Sequence, residues 1–150
     1  MQIAIAADHN GISMKAHLIE RLTAQGHEVD DRGAHDTQVV DYPPLCADIG
    51  REVVEGHAER GIVIGGTGGG EAIACNKIRG VRAGLCHSVF LAEISSAHNA
   101  TNVLVMGAKV VTPDDAEKIV GTWLTTPFKG ERHQRRLEQI AALERGEPIA

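Results

Sequence analysis

The stretch Gly61-Ile62-Val63-Ile64-Gly65-Gly66-Thr67-Gly68-Gly69-Gly70-Glu71 joins a short apolar run to five glycines within six residues. The apolar run over 61–64 is typical of a buried strand. The residues from Glu71 to Lys77 are predicted to form a helix. A buried strand that enters a glycine-rich turn and then a helix is a building unit of α/β proteins, and this unit decides the fold class.

The same alternation of strand and helix extends in both directions from this unit. Apolar runs and one weaker pattern predict four further strands, at residues 2–7, 27–31, 81–86 and 102–106. Helical spacing and helix-starting residues predict helices at residues 12–26, 43–56, 88–97, 112–124 and 130–145. Short, nearly all-apolar strands are typical of a parallel sheet that is covered on both faces. The sequence therefore predicts a single doubly wound α/β domain over residues 1–150, with a five-stranded parallel sheet and a C-terminal helix.

Composition excludes several classes of function. The 15 basic and 20 acidic residues give a net charge of −5, so no general attraction to nucleic acid or to an anionic membrane is expected. No run approaches the ~20 apolar residues of a membrane span, and no signal peptide is visible. Three cysteines without C-x-x-C spacing favour a reducing compartment, so we expect a cytoplasmic protein. The eight histidines lack metal-binding pair spacings, so neither a metal nor a cofactor is expected.

The glycine-rich segment leaves its backbone N–H groups unobstructed and can hold an anion at the start of a helix. It does not match a P-loop, because no lysine occurs between Gly65 and Lys77. It does not match the dinucleotide fingerprint either, because Glu71 stands where glycine or alanine is needed. The alternative is a plain tight turn, although such a turn needs only one or two glycines.

Polar residues follow the predicted carboxyl ends of three strands, where doubly wound proteins bind ligands. Glu71 is either a helix-starting acid stabilised by the helix dipole or a base beside N–H donors, a pair that can remove a carbon-bound proton and stabilise the oxyanion. Asp8-His9 after the first strand is either a turn or part of a site. His87-Ser88 follows the fourth strand.

Two further groups are candidates for binding. Arg132 and Arg136 are four residues apart on a predicted helix, so they share a face that suits a phosphate or is simply solvated. His98-Asn99 follows the fourth predicted helix, which places it at the amino end of the sheet. Asp8 and the glycines lie at the opposite end, so a site that uses both groups must be shared between two subunits. The alternative is that His98 only complements the dipole at the helix C-terminus.

Several ordered motifs together resemble the ribose-5-phosphate isomerase B family, in the wider group that includes the galactose-6-phosphate isomerase subunits. The resemblance covers residues 2–145, and its motifs are Ala7-Asp8-His9-Asn10-Gly11, Asp41-Tyr42-Pro43, Gly65 to Glu71, Ala74-Cys75-Asn76-Lys77, His98-Asn99 and Arg132-His133-Gln134-Arg135-Arg136. It implies a Rossmann-like α/β fold, a homodimer with shared active sites or a tetramer of dimers, and metal-free aldose–ketose isomerisation.

The resemblance implies a role for each matching residue. Asp8 and His98 would assist opening of the sugar ring. His9, Arg132 and Arg136 would contact the phosphate, and Tyr42 would line the sugar pocket. The groups that would form the anion hole are Asn99 and the backbone N–H groups of Gly66, Gly68, Gly69 and Gly70.

Two positions separate branches of this family. One branch uses a cysteine base at the end of the third strand, where this chain has Gly65. The other branch, similar to mycobacterial enzymes, has a glutamate at the position of Glu71. The base role is therefore carried over to Glu71, with Thr67 positioning it or donating to a substrate oxygen. Lys109 stands where an arginine often contacts phosphate, so it keeps the charge without the bidentate fork.

The implied reaction is a step of the pentose phosphate pathway. Glu71 would remove the C2 proton of ribose 5-phosphate, and the same carboxyl group would reprotonate C1 of the cis-enediolate to give ribulose 5-phosphate. One alternative keeps the chemistry with a tetrose 4-phosphate, such as erythrose 4-phosphate, or with allose 6-phosphate. Another is a non-catalytic protein that senses sugar phosphates or nucleotides. The expected partner is a small phosphorylated sugar, with no nucleic acid and no membrane.

Overall fold

Five strands and six helices alternate along the chain in the computed structural model, which describes residues 1–150. In chain order they are β1 Gln2–Ala7, α1 Ile12–Ala24, β2 Glu28–Asp31, α2 Tyr42–Val54, β3 Arg60–Gly65, α3 Gly69–Cys75, β4 Ala83–Leu85, α4 Val89–Asn99, β5 Val103–Gly107, α5 Pro113–Thr125 and α6 Arg132–Glu144. The strands form one sheet in the order β2-β1-β3-β5-β4, and all neighbours are parallel. The predicted doubly wound α/β class is confirmed.

Two helix boundaries near the predicted site differ from the expected ones. Helix α3 begins at Gly69 and not at Glu71, because Gly68 adopts a left-handed φ of 82° and its carbonyl accepts the first helical hydrogen bond, from Ala72 N. Helix α4 continues through Asn99, so the prediction that His98 and Asn99 follow this helix is wrong. They form its last turn, which ends at Ala100 with a left-handed φ of 43°.

Alternate residues of the central strands bury opposite faces of the sheet, as the two-residue period of a strand requires. On one face the strand side chains pack with α1 and α5, and they include Ile3, Ile5, Ile62, Ile64 and Leu104. On the other face they pack with α2 and α3, and they include Ala4, Ala6, Val63, Val103 and Val105. Burying one isoleucine-sized side chain contributes about 1.5–3 kcal/mol, so these two layers hold the sheet rigid beneath the loops. No helix of the protein is both long enough and apolar enough to cross a membrane.

The sheet brings the ends of its central strands to one level. Ala7 pairs with Ile64 in β1 and β3, and Gly65 pairs with Gly107 in β3 and β5. The strand order reverses direction between β1 and β3, and in open α/β sheets this reversal creates a crevice at the carboxyl ends. The segments that follow β1 and β3 therefore flank the crevice.

Candidate active site

The glycine loop, residues 65–70, leaves β3 and packs against the end of β5. A Cβ at Gly68 would lie 3.1 Å from the carbonyl carbon of Met106, so only glycine fits this left-handed position without displacing backbone. Gly69 N donates to Thr67 Oγ1 at 3.4 Å. Four other N–H groups of the loop donate no hydrogen bond within the chain, and they belong to Gly66, Thr67, Gly68 and Gly70. The loop therefore presents several free donors beside the crevice.

Glu71 lies in the first turn of α3, and its side chain folds back over the end of β3. The residue is only 4% exposed. A Cβ at Gly65 would overlap its carboxyl group, with Oε2 2.6 Å away. Burial raises the pKa of Glu71 above its ordinary value, and the Asp8 carboxyl beside it raises the pKa further, against an opposing hydrogen bond from the backbone N–H of Glu71. Glu71 is thus a buried carboxyl group that accepts a proton more readily than a solvated glutamate does.

Asp8 follows β1 and reaches the same crevice. It is 5% exposed, and its Oδ1 accepts a hydrogen bond from Asn10 N at 2.8 Å while its Oδ2 accepts one from Asn10 Nδ2 at 3.2 Å. His9, half-buried next to it, accepts a hydrogen bond from Val40 N at Nδ1, 3.4 Å away. The structure therefore holds Asp8 in one orientation and brings its carboxyl group next to that of Glu71.

Three other predicted residues lie around the glycine loop. The Tyr42 ring, at the start of α2, packs against Gly70, where a Cβ would lie 2.5 Å from Cζ of the ring. The Lys109 side chain runs past Gly66, with Cδ 3.7 Å from the position of a Cβ there. Thr67 and Lys109 are exposed and Tyr42 is half-buried, so a ligand in the crevice can reach all three.

A second cluster forms at the amino end of the sheet, where α4 ends and α6 begins. The rings of His98 and His133 stack with centroids 4.0 Å apart and an interplanar angle of 12°. Lys129 N donates to Ala97 O at 2.9 Å, which fixes the chain that leads into α6. His98 is half-buried, and the exposed members of this cluster are Asn99, Arg132 and Arg136.

This second cluster is strongly positive. Burial lowers the pKa of His133, and the neighbouring His98, Arg132, Arg136 and Lys129 lower it further. A site whose positive side chains disfavour one more proton is suited to an anion such as a phosphate. The lowered pKa favours the neutral form of His133, whose ring stacks on His98.

The predicted site residues therefore form two groups within one chain. The first group lies at the carboxyl end of the sheet and contains Asp8, His9, Tyr42, Glu71, Lys109 and the glycine loop with Thr67. The second group lies at the amino end and contains His98, Asn99, Arg132 and Arg136. One chain does not bring His9 together with the two arginines, although all three are predicted phosphate contacts. No group of three His, Cys, Asp or Glu side chains is arranged to hold a metal ion.

Sequence reasoning missed residues that orient these groups. Asn10 holds Asp8, and its only signal was its place between His9 and Gly11. Arg82 caps the end of α4, donating from Nε to Asn99 O at 3.1 Å and from Nη2 to Ala100 O at 2.7 Å. Nothing in the sequence around Arg82 signals this contact, because its partners are about 18 residues away.

The chain matches the family model described as Ribose/Galactose Isomerase over residues 3–140. It is 40% identical over 143 residues to the ribose-5-phosphate isomerase B of Escherichia coli, which covers 95% of this chain and 96% of that relative. Its structure is similar to that of Clostridium thermocellum ribose-5-phosphate isomerase B, with 41% identity, a TM-score of 0.96 and coverage of 97% and 99%. It is also similar to the Mycoplasma genitalium enzyme with bound ribulose 5-phosphate, with 35% identity, a TM-score of 0.92 and 95% coverage of each chain.

Proposed function

Since the chain belongs to the ribose/galactose isomerase family, we propose that it interconverts ribose 5-phosphate and ribulose 5-phosphate. It is an aldose–ketose isomerase, as its relatives of almost equal length are. The pentose phosphate is favoured by the names of these relatives and by the ribulose 5-phosphate in the Mycoplasma genitalium structure. The observation that carries the proposal is the buried carboxyl group of Glu71 beside a loop of free N–H donors.

Glu71 is the proposed base for the proton at C2. A carboxylate whose pKa is raised by burial takes up a proton more readily at neutral pH, and a general base works best when its pKa approaches the working pH. As the proton leaves, negative charge develops on the C1 oxygen. The free N–H groups of the glycine loop would stabilise that charge, and Thr67 would donate from its exposed hydroxyl. The same carboxyl group would then return the proton to C1.

The remaining roles follow the two groups of the site. Asp8, fixed by Asn10, would take part in ring opening with His98. Arg132 and Arg136 would bind the phosphate as charge-assisted donors, helped by the positive field around His133. His9 and Lys109 would contact the phosphate from the carboxyl end, and Tyr42 would line the sugar pocket.

We therefore propose a homodimer in which each active site takes one group from each chain. One chain would supply Asp8, Glu71 and the glycine loop, and the other would supply His98, Asn99 and the arginines. Exposed apolar side chains support contact between two chains. Three of them are mostly exposed, namely Phe90 at 67%, Ile73 at 65% and Leu143 at 57%. A subunit interface would remove this apolar surface from water.

Kinetics on a panel of phosphosugars test this function. We expect the highest kcat/KM for ribose 5-phosphate, with lower values for erythrose 4-phosphate and allose 6-phosphate, because the distance between the phosphate contacts and Glu71 sets the length of sugar that fits. In deuterated water, ribose 5-phosphate should lose its C2 hydrogen to solvent in the presence of the protein. A better substrate of another length would change the assignment of the sugar. Failure of C2 exchange with every sugar would instead indicate a non-catalytic sensor.

Arg132→Ala and Arg136→Ala should each weaken the binding of phosphorylated sugars. The loss of one charge-assisted hydrogen bond costs about 1.5–3 kcal/mol. The affinity for unphosphorylated ribose should barely change, because it lacks the group that these side chains bind. Arg135→Ala is the matched control, since Arg135 is an exposed arginine on the same helix. Titration calorimetry with both ligands measures the effect, and equal losses for both would mean that the arginines stabilise the fold or the dimer.

A further inference from the structure

His87 lies where β4 ends and has no place in the site described so far. It is half-buried, and its Nε2 accepts a hydrogen bond from Gly107 N, 2.9 Å away. An imidazole nitrogen accepts a hydrogen bond only when it carries no proton, so this contact requires the neutral ring with its proton on Nδ1. Burial lowers the pKa of His87, which keeps the ring neutral at physiological pH.

The hydrogen bond between Gly107 N and the His87 side chain lies next to the last backbone hydrogen bonds between β4 and β5. Val103 N donates to Arg82 O at 3.4 Å, and Cys86 N donates to Val105 O at 3.0 Å, so β4 and β5 pair up to this level. Beyond Cys86 the chain turns away to start α4, and the paired residues of β4 and β5 end at Leu85 and Val105, short of the buried Gly107. The His87 ring supplies the missing acceptor, as buried N–H groups require.

Gly107 is in turn the support of the glycine loop. A Cβ at Gly107 would lie 2.7 Å from the backbone of Thr67, so the two main chains touch. The next two residues bond to the same loop, since Ala108 N donates to Gly65 O at 2.8 Å and Lys109 N donates to Gly66 O at 3.0 Å. Any shift of Gly107 is therefore transmitted to the loop segment from Gly65 to Thr67.

We propose that His87 is a positioning residue for the anion hole, which it orients by holding Gly107 against the Thr67 segment of the glycine loop. This inference rests on the proposed function, in which the N–H groups of that loop stabilise the enediolate. His87 itself does not contact the substrate. Its effect falls on transition-state stabilisation, because His87 hydrogen-bonds to the backbone that supports the loop and to no side chain that is proposed to bind the phosphate.

The kinetic test compares His87→Ala with His87→Gln. Removing an oxyanion donor outright lowers kcat about 10²–10³-fold. Because His87→Ala only loosens the donors, we expect kcat to fall roughly tenfold while KM changes less than about twofold. His87→Gln keeps an acceptor at a similar reach and should restore most of kcat. His57→Ala, at an exposed histidine far from the loop, is the control and should match the unmodified protein.

A second measurement does not depend on activity. In protein labelled with ¹⁵N-glycine, hydrogen exchange of the Gly107 amide should accelerate in His87→Ala and return toward normal in His87→Gln. Unchanged protection of Gly107 in His87→Ala would overturn the proposal, whether or not the protein isomerises ribose 5-phosphate. An equal decrease of kcat in both variants, or an increase of KM with kcat unchanged, would overturn it as well. The unmodified protein could show no isomerisation while His87→Ala still accelerates the exchange of the Gly107 amide. The proposed function would then fail, and the role of His87 in holding Gly107 would stand.

Discussion

Glu71→Gln should abolish isomerisation while phosphosugars still bind with nearly normal affinity. The amide keeps the shape of the side chain but cannot accept the C2 proton, and loss of a general base lowers the rate by about 10²–10⁴-fold. The proposed phosphate contacts are other side chains, namely His9, Lys109, Arg132 and Arg136, so we expect the binding of ribose 5-phosphate to persist without this carboxylate. Steady-state kinetics and calorimetry measure the two effects separately. Near-normal turnover would place the base at another residue, and the buried Cys75 and Cys86 would be the next to test.

The same substitution should make the protein more stable at neutral pH. Because the pKa of Glu71 is raised in the folded state, the folded protein favours the neutral carboxyl group more than the unfolded chain does. Its stabilising contribution is present below the ordinary pKa of 4.5 and is lost as the pH rises through the folded-state pKa. The glutamine side chain does not titrate. The gain in Tm of Glu71→Gln should therefore be larger at about pH 8 than at about pH 4.

Mixing two inactive variants should restore activity. Glu71→Gln disables the carboxyl-end group of its own chain, and His98→Ala disables the amino-end group. In a heterodimer of the two, one shared site carries both lesions and the other carries neither. Activity should return toward about half of normal for each heterodimer, because a two-fold dimer has two equivalent sites. Assays after reversible dissociation and reassociation, with the heterodimer fraction measured by native mass spectrometry, give the result.

A second pair of variants provides the control for this experiment. Glu71→Gln mixed with Thr67→Ala should recover no activity, because both lesions fall in the same group and every site of the heterodimer carries one of them. Heterodimers of Glu71→Gln and His98→Ala that stay inactive would contradict the shared site. His98 would then act within its own chain or outside the reaction.

Local patterns predicted most of the fold. The run Ile62-Val63-Ile64 is apolar on both faces of its strand, and both faces are buried in the structure. Thr112 and Ser88 have side chains that accept hydrogen bonds from the first turn of the following helix, which is why these helix starts could be predicted. The end of α4 could not, because Ala100 adopts a left-handed conformation that favours glycine, and the contact that accompanies it comes from Arg82, just before β4.

The end of the sheet at which each candidate residue lies was predictable, and the contacts of these residues were not. Asp8 and Glu71 follow strands in the chain and His98 lies at the end of a helix, which places them at opposite ends of a parallel sheet. The stack of His98 on His133 depends on how α6 packs against α4, and no spacing along the chain encodes that packing. The contact of His87 with Gly107 likewise joins residues that are 20 positions apart in the chain. These long-range contacts arise only when the whole sheet has formed.

With Glu71 as the proposed base, the overlap between a side chain at Gly65 and the carboxyl group of Glu71 restricts how the base can move to another position over evolutionary time. A cysteine at position 65 would displace the Glu71 carboxyl group from its place over the end of β3. Replacing Glu71 first vacates that space but leaves no base. On that proposal, each single substitution would be deleterious, whereas the pair together would be compatible with catalysis, which is reciprocal sign epistasis. A chain with a base at one position would then be separated from a chain with a base at the other by an intermediate of low fitness.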